Sequence, residues 1–367
     1  MLKNIDSSEI SIIVQGRFVA DGEGSVDVAE SNHVLDTWRH FLPDAQIILS
    51  TWEPPEHVSA AADNIVISQD PGVTIPRCSN NLSANNVGRQ ILSTNAGLKK
   101  AERQFAIKTR TDIQPLGTGF IPIFLEERPR HPDYQLFNKP LVTCTFCTLD
   151  PEITSASMHV SDIFHFGLTA DLLKLWEIPV PQSLSSESLH EDYGLDRYGM
   201  IVKAADCLLR PEQYIFLKLI QITRPDIQLV HSSDANLRSR REGECYLFNN
   251  FTVRPAEDVG VRLPSRMTRR SMMKKIYSMG KIHANETQYG NKDLSWGCDG
   301  FDRKECTRTL YQLWRTSPQN MRIPCWLAAI FLAIQTPNIL FSPRKRKKWF
   351  DYRSRGRSLR SRLCGNP

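Results

Sequence analysis

The stretch "FAIKTRTDIQP", residues 105–115, starts apolar and runs to a carboxylate beside two cations. Phe105, Ala106 and Ile107 begin it like a buried strand. Lys108, Arg110 and Asp112 then alternate, so their side chains share one face of an extended chain. Three charges on one face at the end of an apolar strand serve a core poorly. They suit a phosphate-bearing ligand, or else a strand-end ion pair.

Upstream stretches have the same character. "ISIIVQ" (10–15), "AQIILSTWE" (45–53) and "DNIVISQDPG" (63–72) are short apolar runs, as expected of strands buried on both faces. Helical spacing lies between them, over residues 26–42, where Pro43 stops it, and over "NNVGRQILSTNAGLKKA" (85–101). Strands interleaved with helices predict an α/β fold with a doubly wound, mostly parallel sheet. Ligands of such sheets sit beyond the carboxyl ends of the strands. Those ends are Gln15 and Gly16, Thr51 to Glu53, Gln69 and Asp70, and Asp112.

Further along, "LVTCTFCTL" (141–149), "DIFHFG" (162–167) and "CYLFNNFTV" (245–253) are expected to be strands. "GLTADLLKLW" (167–176) predicts a helix with Thr169 as a cap and Asp171 in its first turn. "RPEQYIFLKLIQI" (210–222) predicts another, with Pro211 and Glu212 at its start, where a carboxylate suits the helix dipole. Residues 262–281 are basic and expected to be helical in part, and 285–320 to be polar loop with one helix.

The 367 residues carry a net charge of +6, but residues 343–367 hold ten Lys or Arg and one Asp. Removing that +9 leaves −3, so the body is mildly acidic. Nine irregularly spaced cysteines do not suggest a disulfide scaffold. Cys144-x-x-Cys147 has no second pair at zinc-site spacing. The polar "MLKNIDSSEI" start lacks an apolar signal core, which predicts a cytoplasmic chain. Residues 323–342 are uncharged, yet their strongly apolar part is about half the roughly 20 residues a spanning helix needs. With the basic run that follows, they suit a segment lying on an anionic membrane surface, over 323–362; a core helix with a solvated tail is the alternative. No nucleic-acid-binding module accompanies the basic tail.

The common phosphate and hydrolase motifs are absent: no G-x-G-x-x-G follows the first strand, and there is no Walker lysine loop, G-x-S-x-G elbow or H-E-x-x-H. The remaining layout suits a transferase that must hold a donor diphosphate, through a divalent cation on a strand-end carboxylate or directly through Arg and Lys. Such an enzyme also needs a base for the acceptor hydroxyl. Asp162 and Glu212 are the candidates, with Glu191 and Asp192 a third acidic pair.

Together "ISIIVQG", "IILSTWE", "DPG", "NNVGRQILSTNAGLKKA", "FAIKTRTD", "SDIFHFG", "PEQYI" and "NNF" run in the order of a known family. Over about residues 10–255 the sequence resembles the WavE lipopolysaccharide-synthesis family of glycosyltransferases. The resemblance implies a GT-A-like nucleotide-diphospho-sugar fold over 1–255, with a donor half near 1–115 and an acceptor half near 140–255. A basic extension (256–322), the apolar segment (323–342) and the tail (343–367) follow. It implies a nucleotide-sugar donor, a glycan or glycolipid acceptor, and a Mn or Mg ion on Asp112. Donor contacts fall on Gln15, Gly16, Asp70, Asn86, Arg89, Lys108, Arg110 and Asp112. Arg110 departs from the Asp-x-Asp pattern, whose first acid it replaces.

Overall fold

In the computed structural model, residues 4–23, 29–74, 85–154, 156–183, 209–229, 237–264 and 275–290, with Met267 and Met273, are described. Strand β1 (Ile10–Gln15) lies at the heart of a seven-stranded sheet. It pairs in parallel with β2 (Gln46–Thr51) on one side and with β4 (Phe105–Arg110) on the other. Beyond β2 lies β3 (Asn64–Ile67), also parallel. Past β4 come β7 (His165–Leu168), β6 (Leu141–Cys144) and β8 (Phe251–Arg254), giving the order β3-β2-β1-β4-β7-β6-β8. Both pairings of β7 are antiparallel, while β6 and β8 run parallel to each other. Hence β7 alone runs against the other six, and this is the α/β, GT-A-like arrangement expected.

Every residue of β1, β2 and β6 is buried, because helices cover both faces of the sheet. Ile10, Ile12 and Val14 pack with Trp38 of α1 (Ser31–Phe41) and Phe120 and Phe124 of α3 (Phe120–Leu125). Ile13 and Ala106 face the other way, toward α2 (Val87–Leu98), α5 (Thr169–Trp176) and α6 (Pro211–Gln221). Gly97 lets α2 sit low on this second face: a Cβ there would stand 2.7 Å from Ile13 and 3.0 Å from Ser50. A short helix, α4 (Pro151–Thr154), follows β6, and a two-stranded ribbon joins β5 (Gln114–Pro115) to β9 (Val261–Arg262) beyond the short α8 (Ala256–Val259).

Several sequence expectations need correction. The third strand is an exposed edge, not a buried strand, with Ile65 and Ile67 about half accessible. Helix α1 starts at Ser31. Thr169 does not cap α5; its hydroxyl donates to the Arg103 carbonyl, and Asp171 accepts from the Asn138 and Lys139 amides instead. "CYLFNNFTV" is strand only in its last three residues. Residues 245–250 end α7 (Leu237–Asn250), and β8 begins at Phe251. The Asn249 and Asn250 amides close that turn by donating to the Cys245 and Tyr246 carbonyls four residues back. The last described helix, α9 (Met279–Gly290), packs against α7. Glu191, Asp192 and the segments 291–322, 323–342 and 343–367 lie outside the described residues.

Candidate functional site

Because six strands point one way, their carboxyl ends share one edge of the sheet. The loop after β6 and the turn into β7 reach the same edge, so residues 145–147 and 159–162 join the ends of β1, β2 and β4. At the centre, the Arg110 guanidinium makes a two-pronged pair with Asp112: Nε to Oδ1 and Nη2 to Oδ2, each 2.8 Å. Asp112 is nearly buried and Arg110 is partly open to solvent.

Lys108 does not face that opening. It is fully buried, its ammonium 4.7 Å from the Trp176 ring centre, and it donates to the Asp162 backbone carbonyl. Loss of water on burial is the main reason its pKa falls from 10.5 to about 7; the Asp162 charge opposes the fall. Lys108 therefore supports the site from beneath.

Above it, the Asp162 carboxylate accepts from the Gln90 side chain of α2 at 2.6 Å. Glu212, in the first turn of α6, is drawn into the same cluster. Asn85 ties the start of α2 to the Leu209 carbonyl just before α6, and Gln213 donates to the Ser157 carbonyl. These bonds fix α6 so that Glu212 faces His159, with Oε2 3.6 Å from Nε2. Burial, reinforced by the neighbouring Asp162 charge, lifts the Glu212 carboxyl from 4.5 to about 7. The Cys147 thiol hydrogen-bonds the same carboxyl, and burial pushes that thiol well up. His159 is driven down to about 3 by burial and is neutral.

The residues expected from the sequence to contact a donor are placed as follows. Gly16 follows β1 with φ 141°, and a Cβ there would lie 2.6 Å from Thr111 Oγ1, so the first and fourth strand ends touch. Gln15 is buried within the β1–β2–β4 pairing. Arg17, next along, pairs with Glu53 past β2. Arg89 lies over the Trp52 ring at 5.3 Å and forms a two-pronged pair with Asp70 at 2.7 and 2.6 Å. Asp70 also accepts from the Gly72 amide, forming the Asx turn its Pro-Gly context suggests. Asn86 is the exposed N-cap of α2 without a side-chain capping bond, whereas Asn85 accepts from the Val87 amide.

The sequence had nominated Arg89, Arg110, Asp112, Asp162 and Glu212 separately; the fold aligns them along one edge and brings Asp162 and Glu212 into one cluster. Gln90, His159 and the thiol of Cys147 were not singled out as site residues. They come from a helix flank and two loops, where no spacing rule operates.

Among the described residues, no three His, Cys, Asp or Glu side chains converge to hold a metal ion. Asp112 is one carboxylate with both oxygens facing a guanidinium. That donor set does not fit a resident divalent cation. No described helix is long and apolar enough to cross a membrane.

A family model described as WavE lipopolysaccharide synthesis matches residues 10–314. The chain belongs to the WavE family. The match extends past residue 255, where the recognisable stretches end, and takes in β9 and α9. No curated protein matches the chain.

Proposed function

We propose that this WavE protein is a glycosyltransferase that moves a sugar from a nucleotide-sugar donor to a lipid-linked or cell-surface glycan. The observation carrying this reading is the meeting of Asp162 and Glu212 beside the Arg110–Asp112 pair. Two carboxylates in contrasting surroundings divide acid–base labour. Asp162 is held by Gln90, with the Lys108 ammonium at its backbone; Glu212 is buried and raised to about 7. Glu212 is thus the base for the acceptor hydroxyl, since a base works best near the operating pH. Asp162 supplies fixed negative charge beside it.

Arg110 and Arg89 are the groups for the donor diphosphate, each already pre-formed as a fork on a carboxylate. Asp112 aims Arg110, and Asp70 aims Arg89. Gly16 gives the donor's nucleoside a close approach to backbone, and no step is routed through a metal. Incubating the purified protein with a panel of sugar nucleotides and lipopolysaccharide-core acceptors tests the reading. Transfer by the wild type and its loss in Glu212→Gln are expected; equal transfer by both overturns it.

One observation favours a second reading. Closed Arg–Asp pairs could also mark a catalytically silent protein that binds a sugar nucleotide or an enzyme partner. Slow donor hydrolysis by wild type, absent in Glu212→Gln, rejects that alternative. We further propose a cytoplasmic site of action, peripheral on an anionic membrane surface through 323–362. The sequence of that segment motivates this; flotation with anionic but not neutral vesicles supports it, and no flotation with either removes it.

A further inference from the structure

The cluster around Glu212 contains a group that the proposed chemistry does not yet use. His159 is buried, and its Nδ1 lies 2.6 Å from the Cys147 carbonyl oxygen. A carbonyl only accepts, so Nδ1 carries the proton. In the neutral ring Nε2 is then a bare lone pair, and it is Nε2 that faces Glu212 Oε2 at 3.6 Å. The Cys147 backbone is held at φ 60°, a left-handed conformation costly for a residue with a Cβ. That peptide aims the carbonyl at His159.

We propose that His159 is a positioning residue for Glu212: locked as the Nδ1–H tautomer by the Cys147 carbonyl, it offers an acceptor to the Glu212 carboxyl and stabilises the proton that Glu212 takes from the acceptor hydroxyl. The step balances simply. The hydroxyl O–H breaks, its electron pair attacks the sugar carbon, the nucleotide leaves with the bonding pair, and the proton resides on Glu212, directed at Nε2. The other groups facing Glu212 are Asp162 before β7, the Cys147 thiol after β6 and Arg210 at the helix cap. Asp162 disfavours a charged Glu212, whereas the thiol and Arg210 favour one. Asp162 also only accepts, but it is ionised and takes the Gln90 amide; among the uncharged groups facing Glu212, His159 alone offers a purely accepting atom. The inference rests on Glu212 as the base.

The test uses the full chain labelled with nitrogen-15 in its nine histidines. Long-range nitrogen–proton spectra, from about pH 5.5 to 8.5, read tautomer and protonation directly. His159 is expected to show a protonated Nδ1 and a bare Nε2 throughout, with a step in the Nε2 shift near the Glu212 midpoint. In Glu212→Gln the step vanishes. A protonated Nε2, a flat wild-type titration or a step that survives in Glu212→Gln overturns the proposal. In His159→Gln, whose amide can donate to a carboxylate, the carbon-13 midpoint of Glu212 should fall by about one pH unit; no fall overturns it as well. These readouts need no turnover. An inactive protein with the expected spectra sinks the transferase reading alone, and a Glu212-dependent transferase with the wrong tautomer sinks this one alone.

Discussion

Replacing Lys108 by Met removes a buried ammonium from beneath the site, and its consequence can be worked out. The folded pKa is lowered from 10.5 to about 7. Between those values the unfolded chain binds more protons than the folded one, so wild-type stability rises with pH across that window. Below about pH 7 both states are charged, and the full burial penalty, roughly 5 kcal/mol, is present. From about pH 6 to pH 9 the penalty should relax by roughly 3 kcal/mol. Met fits the same slot but leaves the Asp162 carbonyl without its donor, a pH-independent loss of about 1–3 kcal/mol. Urea unfolding of both proteins at several pH values gives the difference directly, and the subtraction cancels other titrating groups. The stability of wild type minus Lys108→Met should climb with pH through that window. Parallel curves would refute the reasoning, because Lys108 would then titrate as it does in water.

Three further outcomes follow from the same geometry. Transfer or donor hydrolysis should rise with pH through about 7 as Glu212 ionises, and Glu212→Gln should lower the rate about 10²–10⁴-fold with nucleotide binding retained; a pH-independent rate counts against Glu212. Asp162→Asn should move that pH midpoint downward, because it removes a charge that disfavours ionised Glu212; an unmoved midpoint separates the two carboxylates. Gly16→Ala should cost roughly 2 kcal/mol or more in urea unfolding, since the new Cβ meets Thr111 at 2.6 Å in a backbone conformation that favours glycine; a neutral result means the strand ends are not in contact.

The strand runs at 10–15, 46–51 and 105–110 were legible because a strand covered on both faces carries an unbroken apolar run, here Ile12–Val14, Ile47–Leu49 and Phe105–Ile107, and few other settings tolerate that. The same rule misleads at 245–250. Cys245, Tyr246, Leu247 and Phe248 are all buried, but in a helix covered all round, and periodicity cannot separate the two cases. Ile65 and Ile67 mislead in the opposite sense, since an edge strand keeps the composition of a central one while standing half exposed. In the site, Lys108, Arg110 and Asp112 were visible as an alternating set. Their division of labour was not, because Trp176, sixty-odd residues away in sequence, covers Lys108 and leaves Arg110 open. The pairing of Asp162 with Glu212 depends on Asn85 and Gln213 anchoring α6, contacts across more than fifty residues that no local pattern encodes.

On the proposed function, the carboxyl edge of the sheet grips a nucleotide diphosphate through the fork of Arg110. Calorimetric titration of nucleoside mono- and diphosphates into wild type and Arg110→Lys tests it most directly, with unfolding curves to show that the variant is folded. Lys keeps the charge but loses the two-pronged geometry. A diphosphate should bind the wild type more tightly than its monophosphate, and the substitution should weaken the diphosphate about tenfold or more while leaving the monophosphate little changed. Equal diphosphate affinity in the two proteins, or no binding to either, would contradict it.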